Sequence, residues 1–547
     1  MGRIEGVPLG GIISALVYRA RVDSRVFLQV ITAVRDISET RATEITDGKF
    51  SELIDEIIEK GLSHSFPRVR AVTVEVLGMI YGKIKISDVM CVLYEFLTDS
   101  NSIVRRTVIE TCLSLLPIQN PKASKPMEST QSSRIFVSLF NRLVPLLSEA
   151  SEPDPRVRIQ AVKLVFKIAN LFPEHPIYDP SDTTGLKKMP KKGKGNNRFK
   201  NRNNGQGHAE GAADTLSNYA FSSLCRSAMD RDVNVRAKAA GILGRIHKVK
   251  PSRVRQSLTK KIVKTHKYNS KNQEECWPGL NISRQLWAGA LRHAWEDEFV
   301  SVRLGAVSSI ATLAYSAAHG GDCTSHCHNN SNYKLRRRIT RGMVYREGKV
   351  YPLSTDHLYI LNACGEVLFE LALDPDKEVR RSALAGACRI AGRLQLGKDH
   401  LKSILLSTND SEVSVRMQAY RVISKVQYSS PIHLASAVRT LARSLPLDAS
   451  RLDSDESRGI IKALETIGKR HAGMFLAATK AESAPGVLSA DDKEGLAREL
   501  ARDGSKTVTG RRIGIYCALV ASGDLYLFPS RVQDAFVSTQ SVWESLR

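Results

Sequence analysis

At 547 residues and 6% aromatic, with a formal net charge of +24, the chain is too long for one small core and suits an array that grows by addition of helices with small aliphatic side chains. No apolar run approaches the ~20 residues of a membrane span. The nine cysteines are scattered, and Cys112, Cys225 and Cys388 fall on or beside apolar stripes, which argues against a cystine framework and for a reducing, intracellular compartment.

The first predicted element, Val7 to Val17, is apolar, short, glycine-bearing and followed at once by Arg19 and Arg21. It reads as the opening helix of an array, not as a signal peptide. A Val-Arg doublet then opens a helical stripe seven times: Val69-Arg70, Val104-Arg105, Val157-Arg158, Val235-Arg236, Val302-Arg303, Val379-Arg380 and Val415-Arg416. Three, seven and ten positions after the arginine the residues are mostly small or apolar, as with Ala161, Val165 and Ile168, or Ala306, Ile310 and Leu313. These offsets lie on one face of a 3.6-residue helix. Six positions before five of the arginines stands an aspartate: Asp99, Asp230, Asp297, Asp374 and Asp410. Glu152 holds the place before Arg158, with Asp154 nearer, and His64 the place before Arg70. Such an acid suits the capping of the following helix, and the later arginine can reach back toward the turn. Upstream lies another apolar helix, as in Leu216 to Met229, Leu286 to Trp295 and Ala363 to Leu373. The unit is helix, Asp-bearing turn, helix, and a copied unit of this kind predicts a solenoid.

Asp297 to Val302-Arg303 with Ala306, and Asp374 to Val379-Arg380 with Ala383, resemble the HEAT-repeat family. The resemblance implies an all-α, HEAT/armadillo-type α-solenoid of stacked antiparallel helix pairs. It also implies a structural polar ladder between repeats, made by Asp99, Arg105, Asp230, Arg236, Asp297, Arg303, Asp374, Arg380, Asp410 and Arg416. Exposed ion pairs are worth only ~0–1 kcal/mol each, so the apolar stripes are expected to supply most of the stability.

The charge is uneven. Lys187, Lys188, Lys191, Lys192, Lys194, Arg198, Lys200 and Arg202 follow one another without an acid among Gly and Asn. Between Arg245 and Lys271 a second acid-free run includes Lys248, Lys250, Arg253, Arg255, Lys260, Lys261 and Lys264. In the third cluster Lys334, Arg336, Arg337, Arg338, Arg341, Arg346 and Lys349 meet only Glu347. The first and third fall where the step between Val-Arg doublets, from Arg158 to Arg236 and from Arg303 to Arg380, is about twice that from Arg70 to Arg105. Disordered basic loops are therefore expected at 178–213 and 319–352, separating N-terminal repeats at 1–177, middle repeats at 214–318 and C-terminal helical repeats at 353–547. Lys187, Lys188, Lys191, Lys192 and Lys194 form a run of the kind that import receptors read; a merely solvated loop is the rival reading. Arg253, Arg255, Lys260, Lys261, Lys264, Arg336, Arg337 and Arg338 are candidates for contact with an acidic partner or nucleic acid. Only Phe199 and Tyr333 are available in the loops for base stacking.

Motifs with chemical potential are weak. Cys323, His326, Cys327 and His328 crowd into one loop and could complete a tetrahedral zinc site, but adjacent residues rarely converge on one ion and no paired CxxC stands at the usual distance, so no metal is expected. Gly504-Ser505-Lys506-Thr507 lacks the first glycine and the preceding strand of a phosphate loop. His247 and His293 are assigned to helices without a recurring acid partner, as packed or solvated side chains. The chain is expected to be no enzyme and to need no cofactor.

A closer resemblance rests on the order of blocks. Ala220 to Cys225, Val235 to Gly244 and Ser257 to Lys261, then Gly289-Ala290 through Phe299 with Val302-Arg303, and later Ile460 to Leu464 and Gly468-Lys469-Arg470-His471, are similar to the Integrator subunit 4 branch of the HEAT proteins. The similarity runs from about Asp154 to Phe528. It implies a nuclear, non-catalytic scaffold whose partners are other Integrator subunits. Among them is the metallo-β-lactamase-type nuclease pair that cleaves small nuclear RNA 3′ ends and nascent transcripts, with RNA itself contacted weakly or indirectly. A plant branch is linked to trafficking of mobile transcription factors, which would also place the protein in the cytoplasm. The family continues past the position of Arg547 into a region that helps to seat the nuclease pair, so a shortened chain or a different docking is expected. Two alternatives remain from the residues alone: an importin-like transport adaptor, and a nucleic-acid-binding solenoid.

Overall fold

The computed structural model describes residues 27–29, 31–32, 56, 58–81, 86–116, 130–177, 214–259, 288–319, 343–346, 349–352, 355–394, 398–428, 431–444 and 454–480. Val7–Val17, the import-signal candidates Lys187, Lys188, Lys191, Lys192 and Lys194, the Cys323–His328 group and Gly504–Thr507 lie outside them. The helices are α1 Pro67–Tyr81, α2 Ile86–Phe96, α3 Ser102–Leu115, α4 Thr130–Leu143, α5 Pro155–Leu171, α6 Leu216–Ser227, α7 Val233–Leu243 and α8 Pro251–Ser257. They continue as α9 Ala290–Trp295, α10 Val300–Ala318, α11 Thr355–Leu371, α12 Lys377–Ile390, α13 Lys398–Ser407, α14 Val413–Lys425, α15 Pro431–Ser444 and α16 Asp455–Lys480.

The Val-Arg doublets open the second helix of successive pairs: α1, α3, α5, α7, α10, α12 and α14. All seven valines are buried, none more than 1% exposed. Behind them the small residues of the stripe, such as Ala161, Ala306, Ala383 and Ala419, are fully buried, which lets neighbouring helix axes approach within the usual ~8–10 Å. Second helices pack on second helices of the next pair, α1 on α3 and α3 on α5 in one stretch, and α10 on α12, α12 on α14 and α14 on α16 in another. The first helices form the other layer, with α11 against α13 and α13 against α15. This is the all-α solenoid packing that the periodicity predicts.

By contact, the chain divides into two compact units. One holds the array up to Ala239 together with Ile246–Arg253; the other holds Ala240–Arg245 and the array from Leu291 onward.

Among the described residues, two short antiparallel ribbons interrupt the helices. In the first, β1 Pro176–Ile177 pairs with β2 Asp214–Thr215, and Leu216 N–H donates to His175 O at 2.9 Å. Residues on either side of the first basic insertion are thus tied side by side, and α6 continues the array directly from α5. In the second, β3 Met343–Arg346 pairs with β4 Lys349–Pro352, within the interval expected to be a structureless loop. Val344, Tyr345, Val350 and Tyr351 are β-branched or aromatic, and two such runs two residues apart favour a hairpin.

α10 is, by length and composition, apolar enough to cross a membrane, which the search for an uninterrupted apolar run misses because Ser and Thr dilute the stretch. Here it is a central helix of its unit. Its Arg303 is bound by Asp374, and Val302, Ala306, Ile310, Leu313 and Ala317 are buried where it packs on α11 and α12.

Candidate interaction surface

The arginine of each doublet reaches back to its own turn, and Arg70, Arg105, Arg158, Arg303, Arg380 and Arg416 also hold an acid of the following repeat. In each case Nη1 reaches back to the carbonyl six residues earlier: Arg70 to His64 O at 2.8 Å, Arg105 to Asp99 O at 2.6 Å, Arg158 to Glu152 O at 2.9 Å and Arg236 to Asp230 O at 3.0 Å. Arg303, Arg380 and Arg416 reach Asp297 O, Asp374 O and Asp410 O in the same way, at 2.9, 2.9 and 2.6 Å. Meanwhile Nε and Nη2 grip both oxygens of an acid in the following repeat. Arg70 holds Asp99 at 2.8 and 2.9 Å, Arg105 holds Glu152 at 2.6 and 2.8 Å, and Arg158 holds Asp230 at 2.9 and 2.8 Å. In the other unit Arg303 holds Asp374 at 2.8 and 3.0 Å, Arg380 holds Asp410 at 2.6 and 3.0 Å, and Arg416 holds Glu456 at 2.5 and 2.7 Å. A planar guanidinium fork matches a carboxylate in this bidentate way, and a lysine would not.

The repeat acid is not the helix cap. Its carboxylate accepts from the N–H two residues on, as Asp99 does from Asn101 at 2.8 Å, Asp230 from Asp232 at 2.8 Å, Asp374 from Asp376 at 2.8 Å and Asp410 from Glu412 at 2.9 Å. Capping falls to the later residue: Asn101 takes Ile103 N–H, Asp154 takes Arg156 N–H, and Asp376 takes Glu378 and Val379 N–H. An Asp bonds naturally two residues ahead, so the acid orders the turn while the arginine of the preceding repeat neutralises it.

Burial pushes the Asp99 carboxyl up, but hydrogen bonds from Arg70 and Asn101 N–H and the charges of Arg70 and Arg105 outweigh it, so it lies below its ordinary 3.8. Asp410 is likewise raised by burial and lowered further by Arg380, Glu412 N–H and Arg416. Glu456 is held below its ordinary 4.5 first by its hydrogen bond from Arg416, against burial, with help from the Tyr420 hydroxyl. A depressed folded-state pKa means that the unfolded chain takes up protons first on acidification. The stability these acids contribute is complete above about pH 4.5 and drains away as pH falls through their lowered values. Urea midpoints should therefore drop steeply between about pH 4.5 and pH 3; a midpoint that stays level over that range would contradict the ladder's energetic role.

Of the cations set aside for an acidic partner or nucleic acid, Arg253 and Arg255 are the two described, and each has an intramolecular use. Arg253 Nη1 donates to Asn218 O at 3.1 Å and to Ser222 Oγ. The Arg255 guanidinium stacks 4.3 Å over the Tyr359 ring and comes within 4.0 Å of Asp356. Lys260, Lys261, Lys264 and Arg336–Arg338 lie outside the described residues. The residue that organises this region is one that carries no charge signal, the buried Asn218. Its Oδ1 accepts from Lys250 N–H at 2.8 Å and its Nδ2 donates to Thr215 Oγ1 at 2.7 Å. His247 sits in a turn after α7, not on a helix, because Gly244 and the positive φ of 56° at Lys248 break the helix there; burial, then Lys248, lowers its pKa. His293 lies on α9.

Among the described residues no three His, Cys, Asp or Glu side chains gather as a metal site. Cys112 is fully buried and its thiol is pushed up to about 12 by burial, which leaves it inert; Cys225 and Cys364 are pushed up for the same reason.

No protein-family model matches the chain. It is 20% identical over 391 residues to Integrator complex subunit 4 of Homo sapiens, an alignment covering 71% of this chain and 34% of the human protein. It is 21% identical over 372 residues to Integrator complex subunit 4 of Drosophila melanogaster, covering 63% and 29%. The chain is an all-α solenoid that resembles Integrator complex subunit 4. It spans about a third of the length of the curated relatives it matches, 34% for the human protein. Among solved structures, a crystal structure of importin beta aligns with 99% of this chain and 66% of its own at 11% identity and a TM-score of 0.42. An engineered protein aligns with 93% and 99% at 14% identity and a TM-score of 0.43.

The turns of this helical array also carry exposed apolar side chains. Phe66 and Ile103 stand beside the turns before α1 and α3, and Phe299, Leu373, Leu406 and Val413 beside those of the other unit, each 39% exposed or more.

Proposed function

We propose that the chain is a non-catalytic nuclear scaffold of an Integrator-like complex, one that holds the RNA endonuclease module, a metallo-β-lactamase-type nuclease pair, for small nuclear RNA 3′-end processing and transcript cleavage. The observation that carries this reading is the similarity to Integrator complex subunit 4, which covers 71% of the chain. Physical support comes from the way the array uses its polar residues. The recurring carboxylates are bound to arginines and turn amides, a structural use that leaves them unavailable as acids or bases. A stack of helix pairs offers long surfaces to protein partners instead. Other Integrator subunits are the expected partners, with RNA reached weakly or through them.

Affinity purification of the tagged full chain from nuclei, followed by mass spectrometry, tests the reading. Recovery of Integrator subunits together with the nuclease pair is the expected result. A well-expressed nuclear chain that brings down none of them would overturn it.

A further inference from the structure

The solvent side of the second-helix layer, in the unit that contains α12, α14 and α16, is basic. From Arg381 to Leu394 along and after α12, and from Met417 to Tyr428 along and after α14, the sequence contains no acidic residue. Opposite the buried stripes stand Arg389 on α12 and Arg421 and Lys425 on α14, all exposed. The guanidinium of Arg389 lies 4.6 Å from the ring centroid of Tyr315 on α10, so it is held on the surface and not folded away. Arg421 and Lys425 are one helical turn apart and share a face, and among the described residues neither has an ion-pair partner. On α16, Lys462 and Arg470 are exposed as well, and the Arg470 guanidinium approaches Gly392 beside the carbonyl of Lys425. Glu465 is the acid that α16 carries between them.

Helix dipoles account for part of this. Arg389 and Lys425 occupy last turns, where a cation meets unsatisfied carbonyls. Arg421 is a turn further in, where that effect has faded. Its charge stands beside Lys425 with no internal use, an arrangement that costs repulsion until an anion covers it.

We propose that this strip, centred on Arg421 and Lys425, docks an acidic, Asp- and Glu-rich segment of a partner protein. The α14 aromatic Tyr420, and Tyr428 just after it, are buried, and the half-buried Tyr315 ring is already engaged by Arg389 and His319, so the strip is poor in the open stacking platforms that single-stranded nucleic acid uses. Neighbouring helices place their cations about 8–10 Å apart, a distance that carboxylates about three residues apart in an extended segment span at ~3.3 Å per residue. The inference rests on the reading of the array as a protein-binding scaffold, and its test does not depend on which complex the chain joins.

The test uses the full chain and a fluorescein-labelled peptide of repeating Glu-Ser-Asp, read by fluorescence anisotropy at physiological salt. The peptide is expected to bind, and Arg421→Glu with Lys425→Glu to weaken it by at least about tenfold while the melting temperature holds. Arg421→Gln with Lys425→Gln should weaken it less, in the same direction. The control pair Arg231→Glu and Lys402→Glu makes the same change in net charge at exposed positions elsewhere and should leave affinity within about twofold. Absence of binding, equal losses in the strip and control variants, or tighter binding of a matched oligouridylate through Arg421 and Lys425 would each overturn the proposal.

Discussion

Asp230→Ala is expected to destabilise its unit by about 3–5 kcal/mol, because it leaves the Arg158 guanidinium charged and buried with no counter-ion. The side chains of Arg158 and Asp230 are only 3% and 4% exposed, at a separation of 2.8 Å, so solvent cannot take over the role of the lost partner. Arg380 and Asp410, at 15% and 9%, should tolerate the equivalent change better. The double variant Arg158→Met with Asp230→Leu removes both charges and should recover most of the loss, since an apolar replacement of a buried pair is often close to neutral. Recovery will be incomplete, because Arg158 Nη1 also satisfies Glu152 O and Pro153 O, each at 2.9 Å, and orphaned carbonyls cost about 1–3 kcal/mol. Urea denaturation of the three proteins decides the matter. If the double variant is no more stable than Asp230→Ala, the cost came from lost packing and not from an uncompensated charge.

Two glycines three residues apart should respond to alanine with opposite signs. Gly241 lies within α7, and a methyl there would meet Gly305 Cα at 3.6 Å, an ordinary contact. Gly241→Ala should therefore stabilise by roughly 0.5–1 kcal/mol through the lower entropy of the unfolded chain. At Gly244 the same methyl would come 2.6 Å from Ser309 Cα and 2.7 Å from its carbonyl carbon and strike its oxygen. Backbone cannot rotate aside. Gly244→Ala must push α10 away and break the Gly244 N–H bond to Ser309 Oγ at 2.9 Å, for a loss at the upper end of the ~1–3 kcal/mol of overpacking. Thermal melts of both variants check the pair, and a destabilised Gly241→Ala or a neutral Gly244→Ala would show that the close approach of α7 and α10 is misplaced.

Much of the array can be read in the residues. A valine, an arginine and small side chains at fixed offsets are a local pattern, and a helix of fixed pitch converts such a pattern into a buried stripe without further information; hence Val69 through Val415 are all buried. The position of the ladder acid is local too, but its duty is not. Asp99, Asp230, Asp374 and Asp410 were natural candidates for helix caps, yet Asn101, Asp232 and Asp376 do that work after the first three, and Glu412 holds the cap position of α14 without a side-chain bond. Each acid instead answers an arginine from the preceding repeat, 29 positions away for Arg70 and 72 for Arg158. Glu456 shows the limit most clearly. It binds Arg416 from inside α16 and stands before no Val-Arg doublet, so no spacing rule finds it.

Charge was legible as quantity and not as direction. A run from Arg245 to Lys271 looks like one basic patch in one dimension, whereas Arg253 is spent on Asn218 and Ser222 and Arg255 on Tyr359. Conversely Arg389, Arg421 and Lys425 are unremarked in sequence because they belong to different helices. The sequence by itself determined the helical repeat, its period and the residues that face inward, because these follow from local geometry. Only the tertiary structure decided which acid meets which arginine, which cations are consumed inside and which line up on a surface, because stacking brings together groups that the chain keeps far apart.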